Sequence, residues 1–203
     1  MARLIEQSGN LTLQISQALA GAATLAEMDD IYRPFRPKRR TRASMARDKG
    51  LTSLAELLVK GEGPHQDAAA LAAPFIDPEK GVGDAEEALA GARDIIAEDL
   101  SDDAALRKSL RAQIQRLGML RAAAAVKEDS VYRLYYDFTQ PLSRLQSHQV
   151  LAINRGEKEG VLKVGVQTDD EQALAVIART ALAPGNPHAE IIRQAAADAW
   201  HRL

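Results

Sequence analysis

The chain has 203 residues, of which 46% are hydrophobic and 27% charged, with a net charge of −2 and no cysteine. This balance belongs to an ordinary globular protein large enough to bury a core, and it excludes disulfides, thiolate catalysis and Cys-ligated zinc. No apolar run approaches the ~20 residues of a membrane span, and no secretion signal opens the chain, so a reducing cytoplasm is the expected location and no membrane partner is expected.

Alanine, leucine and short charged residues dominate, which favours helix because they lose little rotamer freedom there. Met1 to Gln7 reads as if already inside a helix, and Leu11 to Ala20 and Thr24 to Tyr32 follow as short helices. The next stretch, YRPFRPKRRTRASMARDKG (Tyr32 to Gly50), collects eight cations against the single acid Asp48, a local charge of +7 that leaves −9 for the remainder of the chain. Arg33 and Arg36 each precede a proline, which disfavours the helical region, and Pro34 and Pro37 fix their own φ. The spacing predicts a stiff extended arm presenting Arg33, Arg36, Lys38, Arg39, Arg40 and Arg42.

Cations ordered in advance lower the entropic cost of meeting a phosphate backbone. Half a dozen of them support salt-dependent, sequence-independent binding to RNA or DNA. Arginine is equally a bidentate partner for carboxylates, so the same arm is suited to fastening parts of one protein together. Both readings stand at this point.

Helix resumes over Ala43 to Lys49 and Leu51 to Lys60, with Gly50 and Gly61 suited to left-handed terminating positions. Glycines and prolines between Gly61 and Gly83 surround one short alanine-rich helix. Asp84 caps a helix to Leu100, with Glu87 three residues on and Ala88, Leu89, Ala92, Ile95 and Ile96 on one face. Ser101 reads as a fresh cap, and the stripe Leu106, Leu110, Ile114, Leu117, Leu120 predicts a long helix bent at Gly118, with Arg107, Lys108 and Arg111 on a solvated flank.

YRLYYDF (Tyr132 to Phe138) holds half of the aromatic residues and reads as packing, leaving few rings for base stacking. Ser147 to Arg155 predicts a helix, GVLKVGVQT (Gly160 to Thr168) a strand, whose partner is sought near Leu142 to Leu145 or outside the chain. Thr168 to Leu182 leans to helix, and Pro187 to Leu203 starts another that is uncapped at its end. The fold class expected is mainly α, a multi-helix array with a helix-turn-helix-like part and at most a minor β element. Composition places boundaries at 62/63 and 159/160, and both termini read as cuts through a larger protein.

Candidate chemistry is sparse. His65, His148, His188 and His201 lack the three- or four-residue spacing of paired metal ligands, so no metal site is expected. NRGEKEG (Asn154 to Gly160) lacks the Gly-Lys-Ser/Thr ending of a phosphate loop and precedes a strand rather than following one. The pairs Asp29/Asp30, Asp102/Asp103 and Asp169/Asp170 sit at helix ends in polar surroundings that keep carboxylates ionised, unsuited to general acid work. No catalytic residue and no cofactor is expected.

Two long stretches, DIYRPFRPKRRTRASMARDKGLTSLAELL (Asp30 to Leu58) and VYRLYYDFTQPLSRLQSHQVLAINRGEKEGVLKV (Val131 to Val164), resemble the N-terminal helical portion of the bacterial Tex proteins, or transcription accessory proteins. LIEQSGNLTLQI near the start and AAADAWHRL at the end extend the likeness in the same order. The resemblance implies a much larger protein, in which helical layers with a helix-turn-helix element precede a ribonuclease-H-like domain, helix-hairpin-helix motifs and a C-terminal OB-fold RNA-binding domain. It implies nucleic-acid-linked work in transcription or translation; the leading expectation is a scaffold with auxiliary RNA or DNA phosphate contacts, and the alternative an interaction scaffold that docks on RNA polymerase, the ribosome or the protein's own other domains without touching nucleic acid. It carries over only the basic positions Arg33, Arg36, Lys38, Arg39, Arg40 and Arg42, as candidates for auxiliary phosphate contact.

Overall fold

The computed structural model describes residues 1–7, 9–36, 40–61 and 67–203. Among these the chain is mainly helical with one three-stranded sheet, in two compact units. The first comprises Met1–Lys108 and Leu174–Leu203, the second Ser109–Ala173.

The first unit is built on α7 (Ala85–Asp102), against which pack α4 (Arg42–Asp48), α5 (Thr52–Lys60), α6 (Ala68–Ala72) and α11 (Ala189–Arg202). Ala88, Ala92, Ile95 and Ile96 of α7 are buried, as are Leu54 and Leu58 of α5 and Ile192, Ala195 and Ala199 of α11. Each fully buried Leu or Ile contributes about 2 kcal/mol of transfer free energy. Small residues let the helices approach closely. A Cβ at Gly91 would lie 2.4 Å from Leu51 Cδ1 and 3.3 Å from Ala46 Cβ.

Local signals start most of these helices where the sequence predicts. Thr12, before α2 (Leu13–Gly21), accepts from the Ile15 amide, and Thr24, before α3 (Leu25–Tyr32), accepts from the Glu27 amide. Asp84 Oδ1 accepts from the Glu87 amide at 2.8 Å, while Glu87 Oε2 reaches back to the Gly83 amide at 2.7 Å, satisfying two orphan donors. Gly50 and Gly61 adopt φ of 87° and 65°, the left-handed turns expected of them. Past Gly61, the Asn186 side-chain amide donates to the carbonyls of Leu58 (2.9 Å) and Val59 (3.0 Å), and its Oδ1 accepts from the His188 amide (2.8 Å). This buried residue joins the end of α5 to the start of α11.

Three expectations are corrected. Ser101 is not a cap. It lies inside α7, buried, with its hydroxyl donating to the Glu98 carbonyl, and Asp103 instead caps α8 (Ala104–Leu117) by accepting from the Leu106 amide at 2.6 Å. Gly118 ends α8 rather than bending it, because a Cβ there would sit 2.5 Å from the Ile114 carbonyl oxygen. Arg107 is not on a solvated flank, for its Nε donates to Asp30 at 2.7 Å with side chains only 16% and 5% exposed.

The second unit contains the remainder of α8, α9 (Ser147–Lys158), the start of α10 (Asp170–Ala181) and the sheet. Its strands are β1 (Met119–Ala124), β2 (Asp137–Pro141) and β3 (Leu162–Gln167), antiparallel in the order β2-β1-β3. The partner of the predicted strand is therefore β1, not Leu142 to Leu145, which forms a short 3₁₀ turn after β2. One sheet face carries Ala122 and Leu162, both buried, with Phe138 and Val164, and α9 packs here. The other face carries Met119, Arg121 and Ala123 on β1, Asp137, Thr139 and Pro141 on β2, and Lys163, Gly165 and Gln167 on β3. From YRLYYDF, Tyr132 is buried against α9 and Tyr135 meets Phe138 edge-on at 5.3 Å, whereas Leu134 is exposed. No helix among the described residues is long and apolar enough to cross a membrane.

Candidate nucleic-acid interface

The basic window begins in a 3₁₀ turn, Arg33–Phe35, rather than in extended backbone. Arg33 has φ −52° and ψ −45°, so the turn continuing from α3 overrides the pre-proline preference, while Arg36, at φ −65° and ψ 139°, is extended as expected. Helix restarts at α4 through a reciprocal box in which Thr41 and Ser44 each accept from the other's amide at 2.9 Å.

The structure places three of the predicted cations, Arg33, Arg36 and Arg42, against carboxylates of their own unit. Arg33 Nε donates to Asp102 Oδ1 at 3.1 Å. Arg36 pairs with Asp29, and its guanidinium stands 5.8 Å from the centre of the Tyr32 ring. Arg42 reaches Asp94 (3.3 Å) on α7 and Asp198 (3.2 Å) on α11, where Arg202 engages the same two carboxylates. Arg40 is exposed, with no ion pair among the described residues. Lys38 and Arg39 lie outside the described residues, as does His65.

The later cations of the window are also engaged. Arg47 donates to Glu98 at 2.8 Å and to Asp99 at 2.6 Å, and Lys49 to the Gly81 carbonyl at 2.6 Å. Burial works against the charge on Arg47, but Glu98 and Asp99 outweigh it and raise its pKa above the ordinary arginine value. Beside Arg47, an open cavity of about 430 Å³ is lined by Pro34, Ser44 and the four acids Glu98, Asp99, Asp102 and Asp103. A phosphate entering it meets like charge.

These pairs differ in strength. The Arg42 side chain is 63% exposed and that of Arg36 44%, so their bonds contribute about 0–1 kcal/mol each and are screened by salt. Arg47 with Glu98, whose side chain is 9% exposed, is held far more firmly. Sequence reasoning finds the cations but not their partners, which lie up to 156 residues away.

One neighbouring pair makes stability depend on pH. The Lys108 side chain and the Ala23 amide hold Glu27 below the usual carboxylate range. A depressed carboxylate stabilises the fold above its unfolded-state pKa, and that stabilisation is lost as pH falls through the lowered value. The melting-temperature gap between the wild-type chain and Glu27→Gln is expected to be open at neutral pH and to close in acid; a gap independent of pH rules this linkage out.

Among the described residues no group of His, Asp and Glu side chains is arranged to hold a metal ion. The family model described as Tex central region-like matches residues 63–202. Protein tex of Bordetella pertussis is 40% identical over 172 residues, covering 82% of this chain and 22% of that protein. The uncharacterized protein YdcI of Bacillus subtilis is 35% identical over 207 residues, covering 99% of this chain and 28% of its own length. The transcriptional accessory protein Tex of Neisseria gonorrhoeae is 33% identical over 171 residues, again with 82% of this chain and 22% of the relative covered. The chain thus spans about a quarter of the length of these relatives.

Proposed function

The chain belongs to the Tex family, and from that premise we propose that it serves as a helical scaffold within a transcription accessory protein, its basic window fastening helices together. One observation carries this reading. Arg33, Arg36, Arg42 and Arg47 each bond to carboxylates of α3, α7 or α11, so these four cations of the window are engaged inside the unit. The scaffold in turn presents its surfaces to the transcription or translation machinery or to other domains of the longer protein.

A second reading, phosphate contact with RNA or DNA through Arg33, Arg36, Lys38, Arg39, Arg40 and Arg42, is favoured by the exposure of Arg36, Arg40 and Arg42. Bonds worth so little exchange readily for a phosphate at low salt. The triple substitution Arg33→Ala, Arg36→Ala, Arg42→Ala separates the two. The scaffold reading expects stability to fall by about 1–2 kcal/mol in chemical denaturation, with oligouridine affinity unchanged. Weaker RNA binding with unaltered stability gives the second reading preference.

A further inference from the structure

We propose that the open face of the sheet in the second unit contacts the phosphodiester backbone of a nucleic acid, with Arg121 and Lys163 as its two cationic contacts. This goes beyond the scaffold reading, and it moves nucleic-acid contact away from the basic window.

The sheet has two unlike faces. The one under α9 is apolar, whereas on the opposite face Arg121, Asp137, Thr139, Lys163, Gly165 and Gln167 are all exposed. Its charged groups are Arg121, Lys163 and Asp137. Neither the Arg121 nor the Lys163 side chain has a hydrogen bond or ion pair among the described residues, in contrast to Arg33, Arg36, Arg42 and Arg47 of the window. Asp137 pairs in register with Ala123, whose other neighbour is Lys163. The carboxylate and the ammonium therefore start two strand spacings apart, roughly 9–10 Å, on opposite edge strands.

Register also fixes how the cations are displayed. Arg121 lies between Thr139 and Gly165, and nothing comes within 4 Å of the place a Cβ would take at Gly165. The guanidinium thus stands over small neighbours with no bulky side chain to cover it. Lys163 occupies a diagonal position to Arg121 on β3, about 7–8 Å away between Cα atoms, a spacing comparable to that of successive phosphates on an extended single strand, and Asp137 the equivalent diagonal position on β2, so the face keeps a net positive charge of one. The Thr139 hydroxyl and Gln167 amide add uncharged hydrogen-bonding groups on the same face. No aromatic ring stands among these residues, so the contact made is with backbone phosphate, indifferent to sequence and steeply dependent on salt.

The test compares three forms of the 203-residue chain: wild type, Arg121→Glu/Lys163→Glu, and the triple Ala variant of the window. Each is titrated with fluorescein-labelled oligouridine, with the matching deoxyoligonucleotide and, as competitor, with polyglutamate, at low and moderate salt. The sheet variant is expected to bind the labelled strands at least tenfold more weakly at low salt, while the window variant stays within about twofold of wild type. The slope of log affinity on log salt is expected to shrink by about 1.4, two phosphate contacts at roughly 0.7 each. Both positions are exposed, so melting is expected to stay unchanged, and the milder Arg121→Gln/Lys163→Gln pair is expected to give an intermediate loss. Wild-type affinity in the sheet variant overturns the proposal, and so does polyglutamate competing as well as RNA. Binding lost only in the window variant overturns it in favour of the second reading above, and no binding by wild type at low salt overturns both.

Discussion

Gly156→Val is expected to cost about 3 kcal/mol and to open the sheet of the second unit. Gly156 lies in α9 where the helix crosses β3, and a Cβ there would come within 2.7 Å of Leu162 Cδ1, 3.0 Å of Leu162 Cγ and 3.1 Å of Tyr132 Cγ. Leu162 and Tyr132 are 3% and 6% exposed, so neither has room to turn aside. Alanine alone forces α9 outward, and valine adds two methyl groups and a β-branch in mid-helix. Protection of the β1 and β3 amides from hydrogen exchange is expected to collapse in the valine variant and to weaken in Gly156→Ala. Unaltered protection in both means the contact is looser than these distances imply.

Arg47→Met is expected to destabilise the first unit by about 2–3 kcal/mol, the larger part from Glu98. A methionine fills much of the volume of the arginine stem but removes the guanidinium that faces Glu98 at 2.8 Å and Asp99 at 2.6 Å. Glu98 is 6% exposed, and a sheltered carboxylate that loses a cationic partner keeps its desolvation cost without the compensating attraction. The double variant Arg47→Met/Glu98→Leu is expected to regain most of the loss, since removing both charges removes the penalty. Urea denaturation of the two singles and the double measures the coupling, and strictly additive effects contradict it.

Much of the helical frame is legible in the sequence because it rests on local signals. The cap Asp84 and the glycines at 50 and 61 act within four residues of the backbone they organise, and α3, α7 and α9 begin within a residue of their predicted starts. The sheet is less so. MLRAAA (Met119–Ala124) has the composition of a helix and continues the stripe of α8, yet it pairs with strands on both sides, and that pairing outweighs a propensity of a few tenths of a kcal/mol per residue. What betrays it is Gly118, whose lack of a Cβ lets the chain turn out of α8. Reading β1 as helix also hid Arg121 and Lys163 from each other, since only the antiparallel register makes them neighbours.

The site shows the same division. Positive charge at positions 33 to 49 is plain in the sequence, but whether it meets solvent or carboxylate depends on acids 69, 51 and 156 residues distant, brought close by the packing of α7 and α11. The boundary expected at 62/63 lies outside the described residues. The two compact units follow from which helices pack together.

That the first unit is interrupted by the second also governs the life of the nascent chain. Asn186 closes the end of α5 from 127 residues downstream, and α11 covers α7 only after the whole inserted unit has been made. At translation rates of about 5–20 residues per second, the face of α7 that α11 covers stays open for roughly 4–17 s after it is synthesised. The continuous stretch between them can fold in the meantime, leaving the earlier helices as the natural clients of a holding chaperone.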